Sequence, residues 1–289
     1  MIALLQQNQT LFLVLLFLTG ACVGSFLNVV IYRLPRLLQQ QWNSQCKELL
    51  ELPVDNSEGD APGIAYPPSF CPQCKSPIKA WHNVPILGYI LLRGKCAACA
   101  VKIPIRYPMI ETLTAVLTVL LGLKFGLEVK TIFVMVLAWS LIALTFIDID
   151  HHLLPDNITL PLMWLGLIAN ISSTFTTLSN AVIGAVAGYM SLWILYQVHH
   201  RLTGKEGMGY GDFKLLAALG AWFGWTMLPI IALIASLSGT IFALWNMVFA
   251  GHGKNIPIAF GPFLATAGMV TLLWGDIIVG RYLTFFALP

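Results

Sequence analysis

Two aspartate-bearing segments carry the residue types that could do chemistry. The first is Phe146-Ile-Asp148-Ile-Asp150-His151-His152-Leu-Leu-Pro155-Asp156; the second is Gly207-Met-Gly209-Tyr-Gly211-Asp212-Phe-Lys214. Each lies at the edge of an apolar run, where an acidic side chain is costly and marks function by default. Two carboxyl groups brought together can divide acid–base work: one ionised group activates water while the other keeps its proton and polarises a carbonyl. Like charges a few ångströms apart in a low dielectric cannot both form cheaply, so the pair titrates as a unit. That is aspartic-peptidase chemistry, and Asp148 and Asp212 are its candidates. Gly209 and Gly211 omit side chains where another backbone could approach. Asp212 opens a helix, whose dipole favours a negative charge there. Asp150, His151, His152 and Asp156 read more simply as loop charges that help set topology, and His199-His200 as an interfacial pair at a helix end. The sequence has no G-x-S-x-G and no H-E-x-x-H.

A second constellation is Cys71-Pro-Gln-Cys74 followed, after 21 residues, by Cys96-Ala-Ala-Cys99. Four thiolates in two close pairs suit tetrahedral zinc, with zinc-ribbon spacing. A closed four-ligand site leaves no open position for catalysis, so this zinc is expected to be structural and to fold a loop with a thin core. Cys22 and Cys46 fall outside the pattern, and His82 is not needed for it.

These residues must be positioned by membrane helices. Of 289 residues, 57% are hydrophobic and only 10% charged, with a mean hydropathy of +0.78. Soluble domains carry about 25% charge, and disorder needs low hydrophobicity, so both are excluded. The long unbroken apolar runs are not the alternating strands of a membrane barrel. A net charge of +3 gives no reason to expect a nucleic-acid partner. What remains is an all-α polytopic membrane protein whose partner is the lipid bilayer.

About eight spans are expected. Leu11 to Tyr32 is the first, and it lacks the basic residues that precede a secretory signal. Pro108 to Leu123 and Thr131 to Ile147 come next. Asn157 to Val198 divides in two at the Ser/Thr/Asn-rich segment 171–180, and Leu215 to Gly253 divides near Gly224 to Pro229. Asn255 to Gly275 is the last. With the N-terminus outside, all but Lys124, Lys130 and Arg281 of the 16 basic residues fall inside. The long loop 33–107 contributes most of that asymmetry. Asp148 closes the third span and Asp212 opens the sixth, so both lie on the same face of the membrane. Residues 37–66, rich in Gln and acidic residues with Gly/Pro elements, are expected to be irregular and mobile.

The chain resembles the bacterial type 4 prepilin peptidases, bifunctional leader peptidase/N-methyltransferases. The residues that carry the likeness are Gly24-Ser25-Phe26-Leu-Asn28-Val-Val-Ile-Tyr32-Arg33-Leu-Pro35, the four-cysteine loop, Asn83-Val-Pro-Ile-Leu-Gly, Leu91-Leu-Arg-Gly-Lys-Cys96, and Ile105-Arg106-Tyr107-Pro108 before Glu111. The Asp148 segment and Gly209-Tyr-Gly211-Asp212-Phe-Lys214 complete it. The resemblance implies that Asp148, seven residues before Pro155, and Asp212 cleave prepilins and pseudopilins after a leader glycine, at the cytoplasmic face of the bacterial inner membrane. It also implies N-methylation of the new terminus, usually phenylalanine, with S-adenosylmethionine. An α-amine titrates at about 7.7–8.0, so cleavage itself exposes a usable nucleophile. The domains implied are a first transmembrane helix (1–32), a cytoplasmic zinc-binding loop linked to methyl transfer (33–107), and a seven-helix membrane peptidase core (108–289).

No Gly-rich dinucleotide-type fingerprint marks the methyl-donor site. Glu111, Asn28 and Arg33 are candidates for it only by their place near the loop's membrane edge. Asp150, Asp156 and Glu206 are candidates to attract a basic leader, by charge sign alone. Two other classes fit parts of the pattern. One is a proton-coupled carrier using buried aspartates, against which stands the lack of an evident inverted repeat. The other is a non-catalytic assembly scaffold.

Overall fold

The computed structural model describes residues 8–52, 63–205, 207–249 and 258–286. Among them the architecture is all helical. The chain divides into two compact units, Met1–Met135 and Val136–Pro289. The division falls within a single continuous helix, Val129–His151.

The first unit is built on two helices, α1 (Gln9–Leu49) and α3 (Arg106–Phe125). They pack closely because α1 presents glycines to the backbone of α3. A Cβ added at Gly20 would sit 2.7 Å from Ala115 Cα, and one at Gly24 would sit 2.7 Å from Glu111 Cα. In hydrocarbon there is no hydrophobic drive between helices, so such close backbone approach and the dispersion it allows supply much of the association. Between them lies the loop that carries the cysteines, with a 3-10 turn at Ala80–Asn83 and a short helix α2 (Leu87–Leu91).

One expectation is corrected here. Residues 37–49, expected to be irregular, continue α1 without a break past Tyr32. Pro35 sits inside the helix and is buried between Leu34 and Leu38. It removes one backbone donor, but packing on both sides holds the helix through it. The Gln, Leu, Lys and Glu residues beyond it are good helix formers. Residues 53–62 of the same stretch lie outside the described residues. With 41 residues, α1 is about 60 Å long, roughly twice the hydrocarbon core.

In the second unit the rest of α4 (Val129–His151) is followed by α5 (Asp156–Ala169), α6 (Leu178–Thr203), α7 (Tyr210–Phe223), α8 (Leu228–Phe249) and α9 (Gly261–Phe286). The expected breaks occur where the turn residues sit. A 3-10 turn at Asn170–Ser172 separates α5 from α6, and Gly224 with a positive φ of 80° separates α7 from α8. Buried Asn170 closes the first break. Its Nδ2 donates to the carbonyls of Ala221 and Trp222, and its Oδ1 accepts from the N–H groups of Phe175 and Thr176. At the crossing of α6 and α7, Gly184 and Gly220 approach so closely that a Cβ on either would overlap the other's carbonyl.

Among the described residues, five helices are long and apolar enough to cross a membrane: α1, α3, α4, α6, and the segment Trp225–Phe249 that contains α8. Helices α5 and α7 have 14 residues each, about 21 Å at 1.5 Å per residue. The apolar part of α9, Gly261–Gly275, is likewise short.

Candidate active site and metal centre

Asp148 and Asp212 come from different helices and meet in the second unit. Asp148 lies in the last turn of α4, and Asp212 in the first turn of α7. Both are buried, and the two carboxyls are close enough to interact electrostatically. Asp148 Oδ2 accepts a hydrogen bond of 2.9 Å from the backbone N–H of Gly261, the first residue of α9. Asp212 Oδ1 is buried and has no hydrogen-bond partner among the described residues. A buried acceptor without a donor is unfavourable unless a proton, water or substrate group meets it.

The link between the two segments is Leu154. Helix α4 ends at His151, and His152 (φ 49°) turns the chain so that Leu154 points back into the unit, where it is buried. A Cβ at Gly211 would lie 2.7 Å from Leu154 Cβ, and one at Gly261 would lie 3.1 Å from Leu154 Cδ2. One aliphatic side chain thus fills the space that both glycines leave empty. The expected close approach holds at Gly211 but not at Gly209, where an added Cβ would meet nothing nearer than Asp212 Oδ2 at 3.9 Å.

Two further contacts fix α7. Phe213, fully buried, meets the rings of Tyr189 and Tyr196 from α6 and of Tyr210 at its own helix start. Lys214 donates to both carboxylate oxygens of Asp156 at 2.7 Å, joining the start of α7 to the start of α5. Asp156 therefore already has a cation, which weakens its candidacy for attracting a basic leader. Asp150 is exposed, and Glu206 lies outside the described residues.

Gly261, the Tyr189–Tyr196 pair and Leu154 do not stand out in the sequence. The signal for Gly261 is a Gly-Pro step opening an apolar run: a proline in the first turn of a helix, preceded by a residue with no side chain. For the tyrosines it is polar-tipped rings spaced along one apolar helix.

In the first unit the four predicted cysteine sulfurs of Cys71, Cys74, Cys96 and Cys99 all lie within 4.8 Å of one another. The Sγ atoms of Cys71 and Cys99 are 3.9 Å apart, and those of Cys74 and Cys96 are 4.0 Å apart. A tetrahedral zinc with Zn–S bonds of about 2.3 Å requires sulfurs about 3.8 Å apart, whereas a disulfide requires about 2.05 Å. The donor set and spacing fit zinc. Each knuckle is a tight turn made the same way. Cys71 N–H donates to Ser76 O, and Cys96 N–H to Val101 O; Lys75 and Ala100 both take φ 58°. Bonds from Ser76 pull the Cys74 thiol down to about 6, and the Cys99 and Ala98 backbone pulls Cys96 down. Cys99 rises to about 11; the Val101 backbone opposes this rise, but desolvation and the neighbouring thiols outweigh it.

The three polar candidates at the loop's edge are committed to backbone. Arg33 Nη1 donates to the carbonyls of Gly63 and Pro67 at 2.7 and 2.8 Å. Asn28 Nδ2 donates to Tyr107 O, and Glu111 Oε2 accepts from Ile86 N–H. They bind the loop to the α1–α3 pair.

Residues 18–125 match the bacterial peptidase A24 N-terminal domain, and residues 135–244 match the type IV leader peptidase family. A prepilin leader peptidase/N-methyltransferase of Aeromonas hydrophila is 48% identical over 277 residues, covering 96% of this chain and 95% of its own. Proteins of the same name from Stutzerimonas stutzeri and Neisseria gonorrhoeae are 46% and 49% identical, over 97% and 89% of this chain and 97% and 88% of their own. No solved structure matches the chain significantly. With two adjoining domain matches and relatives this similar over nearly their full length, the chain belongs to the type IV leader peptidase family.

Proposed function

We infer that the chain is a bifunctional prepilin leader peptidase and N-methyltransferase that processes type IV prepilins, with Asp148 and Asp212 as its catalytic pair. The observation that carries the assignment is the meeting of these two buried carboxyls, one held by Gly261 N–H and the other with an orphaned oxygen. In hydrolysis one carboxylate takes a proton from water, and the resulting hydroxyl adds to the scissile carbonyl carbon. The other carboxyl donates its proton to the carbonyl oxygen. When the C–N bond breaks, the amine leaves with the proton that the first aspartate had taken, and one hydroxyl of the diol returns its proton to the second aspartate as the carbonyl re-forms. The exposed α-amine, once deprotonated, has the lone pair needed to accept a methyl group.

The same proposal extends to the surroundings. Eight helices span the bacterial inner membrane with the N-terminus outside, and the aspartates face the cytoplasm. Residues 1–32 form the first span, 33–107 the loop domain linked to methyl transfer, and 108–289 the peptidase core. Pseudopilins are processed alongside prepilins. Zinc held by Cys71, Cys74, Cys96 and Cys99 keeps the loop folded and takes no part in either reaction. S-adenosylmethionine supplies the methyl group, and no residue is assigned to it.

The test is mass spectrometry of a prepilin co-expressed with the chain or its variants. The parent protein should give a pilin cut after the leader glycine and carrying one methyl. Asp148→Asn and Asp212→Asn should each leave the leader attached while the enzyme still accumulates in the membrane. Normal cleavage by either variant sinks the assignment.

A further inference from the structure

The loop between α1 and α3 reads as an aqueous domain by its charge, yet one part of it is apolar, exposed and held low. Leu87, Ile90 and Leu91 of α2 are between 57% and 72% exposed. Trp81, six residues before α2, and Ile105, next to the start of α3, are also largely exposed. A folded aqueous domain does not leave such a group uncovered without a use for it.

The hydrogen bond from Ile86 N–H to Glu111 Oε2, 2.7 Å, sets the height of this segment. Glu111 is the sixth residue of α3, a helix apolar and long enough to cross a membrane. Five residues at 1.5 Å place it about 7.5 Å along the helix from Arg106. Ile86 holds this position with φ 62°, a conformation that a β-branched residue rarely takes. Buried Glu111 is thus tied to a loop residue alongside the first turns of a membrane helix, and α2 starts at the next residue. Basic residues flank the apolar ones in the sequence. Lys79 lies over the Trp81 ring, and Arg93 and Lys95 come just after α2. Apolar residues with an interfacial Trp and flanking Lys/Arg are the composition of a segment that lies in the headgroup region of an anionic leaflet.

We propose that residues 84–91, with Trp81 and Ile105, form an interfacial wedge that seats the cysteine loop on the lipid surface. This rests on reading α3 as a membrane span. The occupant of the apolar face is the bilayer itself: Glu111 fixes the depth, and the basic flank matches the leaflet's charge.

The experiment places a genetically encoded fluorescent amino acid at Leu91, and separately at Ile90, in the full chain. Probes at Val116, exposed on α3, and at Lys102, exposed in the loop, serve as references. The protein is reconstituted in phosphatidylcholine/phosphatidylglycerol vesicles with brominated acyl chains, and iodide is added to the water. The Leu91 and Ile90 probes should lose most of their fluorescence to brominated lipid, as Val116 does, and little to iodide. Quenching by iodide to the extent seen at Lys102 would overturn the wedge. Shielding from both quenchers would overturn it too, since protein would then cover the face. A Val116 probe untouched by brominated lipid would remove the span and the wedge with it.

Discussion

Replacing Gly261 with alanine tests the pair's geometry without removing either acid. The added Cβ would stand 2.5 Å from Asp148 Oδ2 and 3.1 Å from both Asp148 Cγ and Leu154 Cδ2. An unstrained contact needs about 3.5 Å, so the carboxylate must retreat by about 1 Å. The Gly261 N–H bond, now 2.9 Å, would stretch to about 3.9 Å, past any hydrogen bond. Losing a bond to an ionised group costs about 1.5–3 kcal/mol, which is roughly 10- to 150-fold in rate. A 1 Å misplacement of a reacting group carries a penalty of about 100-fold by itself. We therefore expect kcat for leader cleavage to fall by about 100-fold with KM little changed, measured on purified prepilin in proteoliposomes. On the proposal that methyl transfer is linked to the loop, methylation of an already cleaved pilin should continue, because Gly261 lies in the other compact unit. Gly209→Ala is the matched control: its Cβ meets nothing within 3.9 Å, so cleavage should stay within about twofold. The reasoning is refuted if Gly261→Ala cuts at the parental rate, or if the two alanines behave alike.

Separate contacts lead to other outcomes. Gly211→Ala, whose Cβ would lie 2.7 Å from Leu154 Cβ, should slow cleavage by at least about tenfold, since a fixed neighbour rather than a flexible chain end is in the way; a silent variant in the same prepilin assay would count against the Leu154 link. Asn170→Ala leaves two buried carbonyls and two N–H groups without their partner and should lower stability by about 2–4 kcal/mol, read as a drop in thermal midpoint in detergent. Lys214→Met breaks a part-exposed ion pair and should cost at most about 1 kcal/mol, and exchanging the charges (Lys214→Asp with Asp156→Lys) should recover what either single change loses in cleavage. Elemental analysis should find one zinc per chain, Cys71→Ser should abolish it, and trypsin should then cut sooner at Lys75, Arg93 and Lys95; an unchanged cleavage pattern would refute a folding role for the metal.

Much of the site is legible in residue types. An aspartate at the end of an apolar run has few structural uses, so Asp148 and Asp212 stand out, and two C-x2-C pairs specify four converging sulfurs. The helix breaks are legible too, because Asn170, Gly224 and their neighbours end helices by local chemistry. Pairing across the chain is not legible. Gly261 lies 113 residues from Asp148, and nothing local to either announces the bond between them. Asp156 and Lys214 look like independent charges until the fold brings them together. The extension of α1 escapes the sequence for a different reason: the Gln-rich and acidic composition of residues 37–66, with its Gly/Pro elements, reads as irregular chain. Tertiary burial of Leu34, Pro35 and Leu38 overrides a signal that is only statistical.

That uninterrupted first helix also acts as a gauge. Its far end, past Arg36, is joined to the membrane part by a stiff shaft rather than a hinge. Adding one residue among Gln39, Gln40 and Gln41 would turn the rest of α1, up to Leu49, by about 100° and advance it by about 1.5 Å. Adding seven would restore the azimuth to within about 20° while lengthening the shaft by about 10 Å. Function that recovers with the second insertion but not the first would mean that the bearing of the outer turns of α1, up to Leu49, matters more than their reach.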